Sequence, residues 1–320
     1  MNLDLRSAGA ADGGDFDSLA LQDAIEQVHR ATALYTRSHV VDELLRQAGW
    51  PTPGKLLCDP SAGDGAFLDA ALGFYLEQNP LADAAAVLAA IEGWEFHRGA
   101  VSDARARIAG TLVGHGWSEH EAERTAKGMI HYGDFLAGGP ERGNRRYDLL
   151  AGNPPYIRHS KVPGVLQEAY RLVVPEVARH DLMHSFLEKC ASLLKPDGVI
   201  AMVVSDRVLT NENASGLRAL LGETLTLRHI KRIDGETAFY RPKDRRAGTP
   251  PRVHPVTLIL GQGAAVAKLD GSPIYPGVDS TPHGLPTLGE LADVRIAPWL
   301  GTRGIFHVSA EVAKKLPQEY

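Results

Sequence analysis

The 320-residue sequence contains little cysteine and lacks long apolar runs. Its two cysteines, Cys58 and Cys190, are too few for a disulfide framework and lie in no cluster typical of metal ligands. We therefore expect a reducing, cytoplasmic environment and no bound metal. No apolar run approaches the ~18 residues of a membrane span, and no basic segment followed by an apolar one begins the chain. We expect neither a membrane anchor nor a secretion signal.

The sequence also lacks an excess of positive charge. It has 34 Lys and Arg against 39 Asp and Glu, a formal net charge of -5. Neutralisation of phosphates supplies most of the non-specific affinity of proteins for nucleic acids. This balance argues against a stand-alone electrostatic DNA binder, so contacts with nucleic acid must come from local basic patches or from a partner.

Strand and helix patterns alternate along most of the chain. Apolar runs predict strands at 55–58, 87–94, 129–132, 148–152, 199–205, 227–233 and 256–261. Helical patterns lie at 17–31, 38–48, 66–78, 98–110, 118–127, 181–194 and 213–221. The alternation predicts an α/β fold with a mostly parallel sheet and helices on both faces. Ligands of such sheets bind beyond the carboxyl ends of the strands.

Composition divides the chain into three parts. Residues 1–16 are rich in Gly, Ala and Asp and have no periodicity, so we interpret them as a disordered tail. Residues 17–268 show the alternating pattern and form the predicted α/β domain. Residues 269–320 begin as a Pro- and Gly-rich linker and leave too few residues for a robust second core.

The turn after the first strand of the alternating pattern has the composition of a ligand-binding loop. Residues 59–65 are DPSAGDG, and Gly63 and Gly65 let the backbone approach a ligand closely. Alone, a Gly-x-Gly turn also fits a dinucleotide loop or a plain tight connection. However, Leu68 replaces the third glycine of the dinucleotide fingerprint. The carboxylate of Asp59 would also repel a pyrophosphate, whereas it would attract an ammonium group.

The next two predicted strands also end in an acid at this edge of the sheet. Glu95 can accept hydrogen bonds from ribose hydroxyls. Asp134 can accept from an adenine amino group, and Phe135 can pack on the same ring. Each acid alone is more often a solvated residue, but three successive strands with this ending indicate one site. S-adenosylmethionine fits it, because this molecule has an amino group and a sulfonium and no phosphate.

The fourth strand is followed by the tetrapeptide Asn153-Pro154-Pro155-Tyr156. Two successive prolines remove two N–H donors and fix an extended backbone, which holds the Pro154 carbonyl outward. This carbonyl and the Asn153 side-chain oxygen can accept both hydrogens of a planar amino group, while Tyr156 stacks on its ring. The amine is then aimed at a methyl group on sulfur for in-line displacement. Catalysis would come mainly from positioning and aimed dipoles.

Together with YTRSHVV from Tyr35 and GWEF from Gly93, these segments resemble the gamma-type adenine-specific DNA methyltransferases of restriction–modification and related defence systems. The resemblance runs from about Tyr35 to about Gly261. It implies a Rossmann-like class I methyltransferase fold with a seven-stranded, mostly parallel sheet. It also implies methyl transfer from S-adenosylmethionine to the N6 amino group of a flipped-out adenine.

The expected roles of residues follow this resemblance and the motifs. The positions expected at the cofactor are Tyr35, Thr36, Asp59, Ser61, Ala62, Gly63, Gly65, Glu95, Asp134 and Phe135. The positions expected at the target base are Asn153, Pro154, Pro155 and Tyr156. The family has a further aromatic residue that stacks on the other face of the base, for which Phe239 is the candidate and Tyr240 the alternative.

Double-stranded DNA is the expected partner, and two basic clusters can contact its phosphates. One contains Arg158, His159 and Lys161. The other contains Arg241, Lys243, Arg245, Arg246 and Arg252. Runs of charge are more often solvated surface, but the second cluster follows Phe239. Only the start of the family's C-terminal target-recognition domain is recognisable, so we expect a shortened form or a subunit that depends on a separate specificity partner.

Other functions are compatible with parts of this pattern. The same tetrapeptide serves methyltransferases that act on adenine in RNA or on glutamine in proteins, since both present a planar nitrogen. A non-catalytic, methyltransferase-like subunit of a DNA defence complex is a second alternative. A nicotinamide-dependent oxidoreductase is disfavoured by the missing third glycine and by the amine-binding tetrapeptide.

Overall fold

The structure, a computed structural model, describes residues 19–139, 145–240 and 254–275. The helices are α1 (Leu19–Thr32), α2 (Ser38–Gln47), α3 (Ala66–Gln78), α4 (Ala84–Ala90), α5 (Arg98–Gly114), α6 (Glu119–Met129), α7 (Gly164–Val173), α8 (Leu182–Leu193), α9 (Arg207–Thr210), α10 (Ser215–Gly222) and α11 (Gly235–Ala238). The strands are β1 (Tyr35–Thr36), β2 (Leu57–Asp59), β3 (Ile91–Glu95), β4 (Ile130–Tyr132), β5 (Tyr147–Gly152), β6 (Leu194–Ser205), β7 (Thr226–Arg232), β8 (Phe239–Tyr240) and β9 (Pro255–Gly261). No described helix is both long and apolar enough to cross a membrane.

Seven strands form one sheet in the order β4-β3-β2-β5-β6-β9-β7. All are parallel except β9, which lies antiparallel between β6 and β7. Every residue of β5 and of β9 is buried, as expected for continuous apolar strands covered on both faces. The predicted α/β class and the seven-stranded, mostly parallel sheet are confirmed.

Two apolar cores lie on the two faces of the sheet. One contains residues of α1, α7, α8 and α10, and the other contains residues of α2, α3, α5 and α6. Helix α2 shows how the sequence builds such a face, because Val40, Val41, Leu44 and Leu45 recur at helical spacing and are all buried. The cores hold the strand ends rigidly at the edge where ligands of such sheets bind.

The structure corrects one predicted strand. Residues 87–90 belong to helix α4, and only Ile91–Glu95 form strand β3. The Asp83 side chain caps the helix by accepting a hydrogen bond from the Ala86 N–H at 2.8 Å. An alanine-rich run behind an aspartate cap favours a helix over a strand. Helices α7, α9 and α11 were not predicted either.

A separate two-stranded sheet joins the start of the domain to residues near its end. Strands β1 and β8 pair antiparallel, with Tyr35 opposite Tyr240 and Thr36 opposite Phe239. The Arg37 guanidinium strengthens this contact, since its Nε donates to the Phe239 carbonyl at 3.1 Å. The pairing fixes Tyr35 above the turn that follows β2.

Residues 262–275 pack back on the domain, so its contacts continue past the predicted boundary at Lys268. The Ile274 N–H donates to the Leu209 carbonyl at 2.8 Å. The Arg218 side chain is 1% exposed, and its Nε donates to the carbonyls of Gly271 and Ser272 at 3.2 and 2.9 Å. The predicted tail at 1–16 and the residues from 276 to 320 lie outside the described residues.

We predict that Gly222→Ala destabilises the protein. A Cβ at Gly222 would lie 1.7 Å from the carbonyl oxygen of Leu269, so the backbone must shift. Overpacking of this kind typically costs about 1–3 kcal/mol, and chemical denaturation should show it. Gly110→Ala is the matched control: the added methyl meets nothing within 4 Å, so its helix should gain up to about 1 kcal/mol. Equal stabilities for the two variants would contradict the packing of residues 262–275.

Candidate functional site

A cleft opens at the carboxyl ends of β2, β3, β4 and β5. Its lining comprises His29, Thr32, Ala33, Leu34, Tyr35, Pro60, Ser61, Gly63, Trp94, Glu95, Phe96, Gly133, Asp134, Phe135, Asn153, Pro155, Tyr170, Leu182 and Phe186. The expected residues that do not line the cleft are Thr36, Asp59, Ala62, Gly65, Pro154 and Tyr156. The structure therefore brings Glu95 and Asp134 to one cleft together with Asn153 and Pro155, while Asp59, Pro154 and Tyr156 lie outside its lining.

The turn after β2 is shaped by two glycines with positive φ, 56° at Gly63 and 85° at Gly65. The ring of Tyr35 lies so close to Gly63 that a Cβ there would be 3.0 Å from it. The Gly63 N–H donates to Glu95 Oε2 at 2.8 Å, which ties the turn to the end of β3. Only glycine allows this approach of ring and backbone.

Asp59 lies beneath this turn and organises it. Its side chain is 1% exposed, and its Oδ1 accepts a hydrogen bond from the Ser61 N–H at 3.0 Å. Burial raises the pKa of the Asp59 carboxyl to about 8. The expected contact with the cofactor's ammonium group stays a prediction, because Asp59 does not line the cleft. A nearby cation would favour the charged form of this carboxyl.

The other two acids lie in the cleft wall. Glu95 accepts the N–H groups of Gly63 and His97, both at 2.8 Å, and burial raises its pKa to about 7. Asp134 accepts the Leu136 N–H and the Tyr170 hydroxyl, both at 2.8 Å, and burial raises its pKa as well. Backbone amides and a phenol thus orient both carboxyl groups.

The chemistry of the cleft favours a cationic ligand without phosphate. Two of its lining residues are acids, and among the described lining residues none is Lys or Arg. Phe135 and Phe186 form an aromatic wall, with ring centroids 5.9 Å apart and planes inclined by 7°. Buried acids disfavour an anion, and aromatic rings accept an adenine face or a sulfonium. The residues present therefore fit S-adenosylmethionine.

The tetrapeptide begins where β5 ends, and its asparagine is held in one orientation. Asn153 Nδ2 donates to the Leu34 carbonyl at 2.8 Å, and Asn153 Oδ1 accepts from the Tyr156 hydroxyl. That hydroxyl also lies 2.9 Å from the Val203 carbonyl. An amide oxygen has two lone pairs, so Oδ1 keeps capacity for one more donor. The Ser61 hydroxyl donates to the Asn153 carbonyl at 3.3 Å and links the two motifs.

The structure corrects the expectation for Phe239. This residue is 6% exposed and packs in the core, and it lies opposite Thr36 in the pairing of β8 with β1. It does not line the cleft, because pairing of β8 with β1 turns an apolar ring toward the core. The alternative, Tyr240, is also engaged: its hydroxyl donates to Asp64, and Arg107 Nη2 donates to it at 3.1 Å.

The remaining expectations have different outcomes. Arg158 and Lys161 are exposed beyond the tetrapeptide, where they can meet a large ligand. The second basic cluster, with Arg241, Lys243, Arg245, Arg246 and Arg252, lies outside the described residues. Stacking by Tyr156 stays a prediction, since its half-buried ring borders a different cavity.

Some residues of the site were missed by the sequence reasoning. Leu34 orients Asn153 through its backbone carbonyl, which no side-chain motif reveals. Tyr170 orients Asp134 from helix α7, and Phe186 stacks on Phe135 from helix α8. The only available signal was the apolar face of the predicted helix at 181–194, which indicates burial and not a role in binding.

Comparisons with known proteins agree with the motifs. Residues 92–239 match the family described as Eco57I restriction-modification methylase. The type II methyltransferase M.XhoI of Xanthomonas vasicola is 28% identical over 245 residues, which are 69% of this chain and 44% of that protein. M.PaeR7I of Pseudomonas aeruginosa is 31% identical over 219 residues, which are 63% of this chain and 37% of that protein. The chain thus spans less than half the length of these curated relatives.

A solved structure shares the fold. The crystal structure of the M protein of the type I restriction enzyme EcoKI superposes with a TM-score of 0.52 and 21% sequence identity. The superposition covers 74% of this chain and 45% of that chain. The expected Rossmann-like class I methyltransferase fold is confirmed.

We predict that Asp59→Asn flattens the pH dependence of stability in the cofactor-free protein. Folding raises the pKa of Asp59 from 3.8 to about 8, so the folded state holds an extra proton between these values. The free energy of unfolding therefore falls as pH rises through this window. Denaturant unfolding at pH 5, 6 and 7 should show a decline that is shallower in the variant by up to about 1.4 kcal/mol per pH unit. Parallel declines would refute the raised pKa.

Proposed function

We propose that this chain, a relative of the methyltransferases of restriction–modification systems, methylates DNA with S-adenosylmethionine as methyl donor. The target would be the N6 amino group of a flipped-out adenine. The observation that carries the proposal is the Asn153 carboxamide, which Leu34 fixes beside a cleft suited to a cation. The family match and the curated relatives support the reaction class.

Within this proposal, the cleft residues hold the cofactor. Glu95 would accept from its ribose, Asp134 from its adenine, and Tyr35 and Phe135 would pack against it. When bound, the cofactor supplies an electrophilic methyl group on a sulfonium. The acids of the cleft would stabilise this positive charge.

The tetrapeptide would activate the attacking nitrogen. An aromatic amine is a weak nucleophile because its lone pair is delocalised into the ring. The second lone pair of Asn153 Oδ1 and the Pro154 carbonyl can accept its two hydrogens, which raises electron density on nitrogen and orients it. The amine proton becomes acidic only as the new bond forms, so no strong base is needed beforehand.

Access to a paired adenine requires flipping it out of the duplex, which costs a few kcal/mol. Stacking on Tyr156 would return about 1–3 kcal/mol. Arg158, Lys161, Arg245 and Arg246 are proposed to contact the phosphates. Sequence recognition would come from a C-terminal recognition domain or from a separate specificity subunit, in keeping with the net charge of -5.

We predict that Asn153→Ala abolishes most methyl transfer while cofactor binding persists. Loss of one aimed acceptor should lower kcat by about 10²–10³-fold, the range seen for single groups that stabilise developing charge. The measurement is incorporation of labelled methyl groups into DNA, RNA or a protein extract, followed by nucleoside analysis for N6-methyladenine. Calorimetric titration with S-adenosylmethionine serves as the binding control.

Tyr156→Phe is the matched variant for the same assay. It keeps the ring for stacking and removes only the hydroxyl that bonds Asn153, so we expect a smaller loss than in Asn153→Ala. Methylation of RNA or protein alone would redirect the proposal to those substrates. Cofactor binding without transfer to any acceptor would favour a non-catalytic subunit.

A further inference from the structure

A second cavity opens beside Tyr156, the last residue of the tetrapeptide. It shares none of its described lining residues with the cofactor cleft. We call it the His184 groove and define it by Tyr156, Arg158, His159, Arg179, His184 and Arg207. Its residues come from the loop after β5, the start of α8 and helix α9, which lie far apart in sequence.

The groove contains buried polar groups that have no hydrogen-bond partner among the residues that the structure describes. His184 is 4% exposed, and its Nδ1 forms no hydrogen bond with any of them. The Nε of Arg179 and both ring nitrogens of His159 are buried and unpaired in the same way. An unsatisfied buried group costs about 1–3 kcal/mol, so a ligand that reached these nitrogens would stabilise this part of the protein.

The charge of the groove selects an anion. Three of the residues that line it are arginines, Arg158, Arg179 and Arg207, and Asp181 is its one acid among the described residues. Asp181 is partly satisfied already, since its Oδ1 accepts the Met183 N–H at 3.1 Å. Burial lowers the pKa of His184 to about 4, so this ring is neutral at pH 7 and offers one donor and one acceptor.

Arginine side chains bind phosphate well, because their planar donors fit its oxygens in pairs. The groove also borders Tyr156, the residue proposed to stack on the target base. A nucleotide held there must have phosphates on both sides, within one nucleotide's reach of the tyrosine. Three arginines therefore line the same cavity as Tyr156, where one strand can contact both.

We propose that the His184 groove binds a phosphodiester next to the flipped adenine, on the same strand. Arg179 and Arg207 hold the phosphate oxygens, and the His184 ring donates one further hydrogen bond to them. The inference rests on the proposed function, because it assigns a second contact to the same DNA strand. Its consequence is that the groove, and not only the tetrapeptide, determines where the flipped nucleotide comes to rest.

The test uses the full chain with S-adenosylhomocysteine and duplex oligonucleotides that contain one unpaired adenine. Dissociation constants are measured by fluorescence anisotropy over a range of salt concentrations. Arg179→Gln and Arg207→Gln should each weaken binding several-fold and lower the salt dependence by about one phosphate contact. Arg124→Gln, an exposed arginine on α6, is the matched control and should change neither.

A chemical change in the DNA provides the decisive comparison. Methylphosphonates at the phosphates flanking the unpaired adenine remove their charge. Wild-type protein should lose affinity with this DNA, whereas Arg179→Gln should lose less than wild type, because part of the contact is already absent in the variant. Fully additive losses would overturn the proposal, and so would an unchanged salt dependence in both groove variants.

Failure of the groove and failure of the proposed function give different results. If wild-type protein methylates DNA but the groove variants bind like wild type, only the groove assignment falls. If wild-type protein neither binds nor methylates the oligonucleotides, both fall. Thermal unfolding and cofactor calorimetry verify each variant; should Arg179→Gln fail to fold, the exposed Arg207→Gln decides.

Discussion

The hydrogen bond from the Asn153 side chain to the Leu34 carbonyl is the contact on which the site depends. It joins the residue before β1 to the residue after β5 and fixes which atom of the carboxamide faces a ligand. Pairing of β1 with β8 holds the Leu34 segment in place, and the same segment sets Tyr35 against Gly63. These contacts connect the turn after β2, the tetrapeptide and the segment that contains Leu34. Displacement of any of the three would therefore change the orientation of Asn153.

Buried carboxyl groups give the cleft its electrostatic character. Asp59, Glu95 and Asp134 are each at most 7% exposed, and no described residue among those lining the cleft offsets them with a Lys or Arg charge. Burial of acids without cations costs stability in the free protein, and a cationic ligand recovers it. The buried acids therefore lower the stability of the free protein and favour the binding of a cationic ligand.

The sequence predicted the parts of the site that lie in short continuous segments. It could not predict the parts that depend on tertiary contacts. The strand ends at Asp59 and Glu95 and the turn after Asp59 follow from the alternation of apolar runs and glycines. The sequence could not predict the orientation of Phe239. Its ring faces the core because β8 pairs with a strand some 200 residues earlier in the sequence. Tyr170 and Phe186 escaped notice for the same reason, since only packing of α7 and α8 brings them to the cleft.

The contacts of Arg218 indicate how far the chain must extend for the domain to fold on its own. Its guanidinium is almost fully enclosed, and a large share of its acceptors are carbonyls of Gly271 and Ser272. If the chain were truncated after Lys268, the charged Arg218 side chain would stay buried without those acceptors. Any shortened version, fusion junction or domain graft should therefore retain the polypeptide through Ile274, whose own amide docks on Leu209.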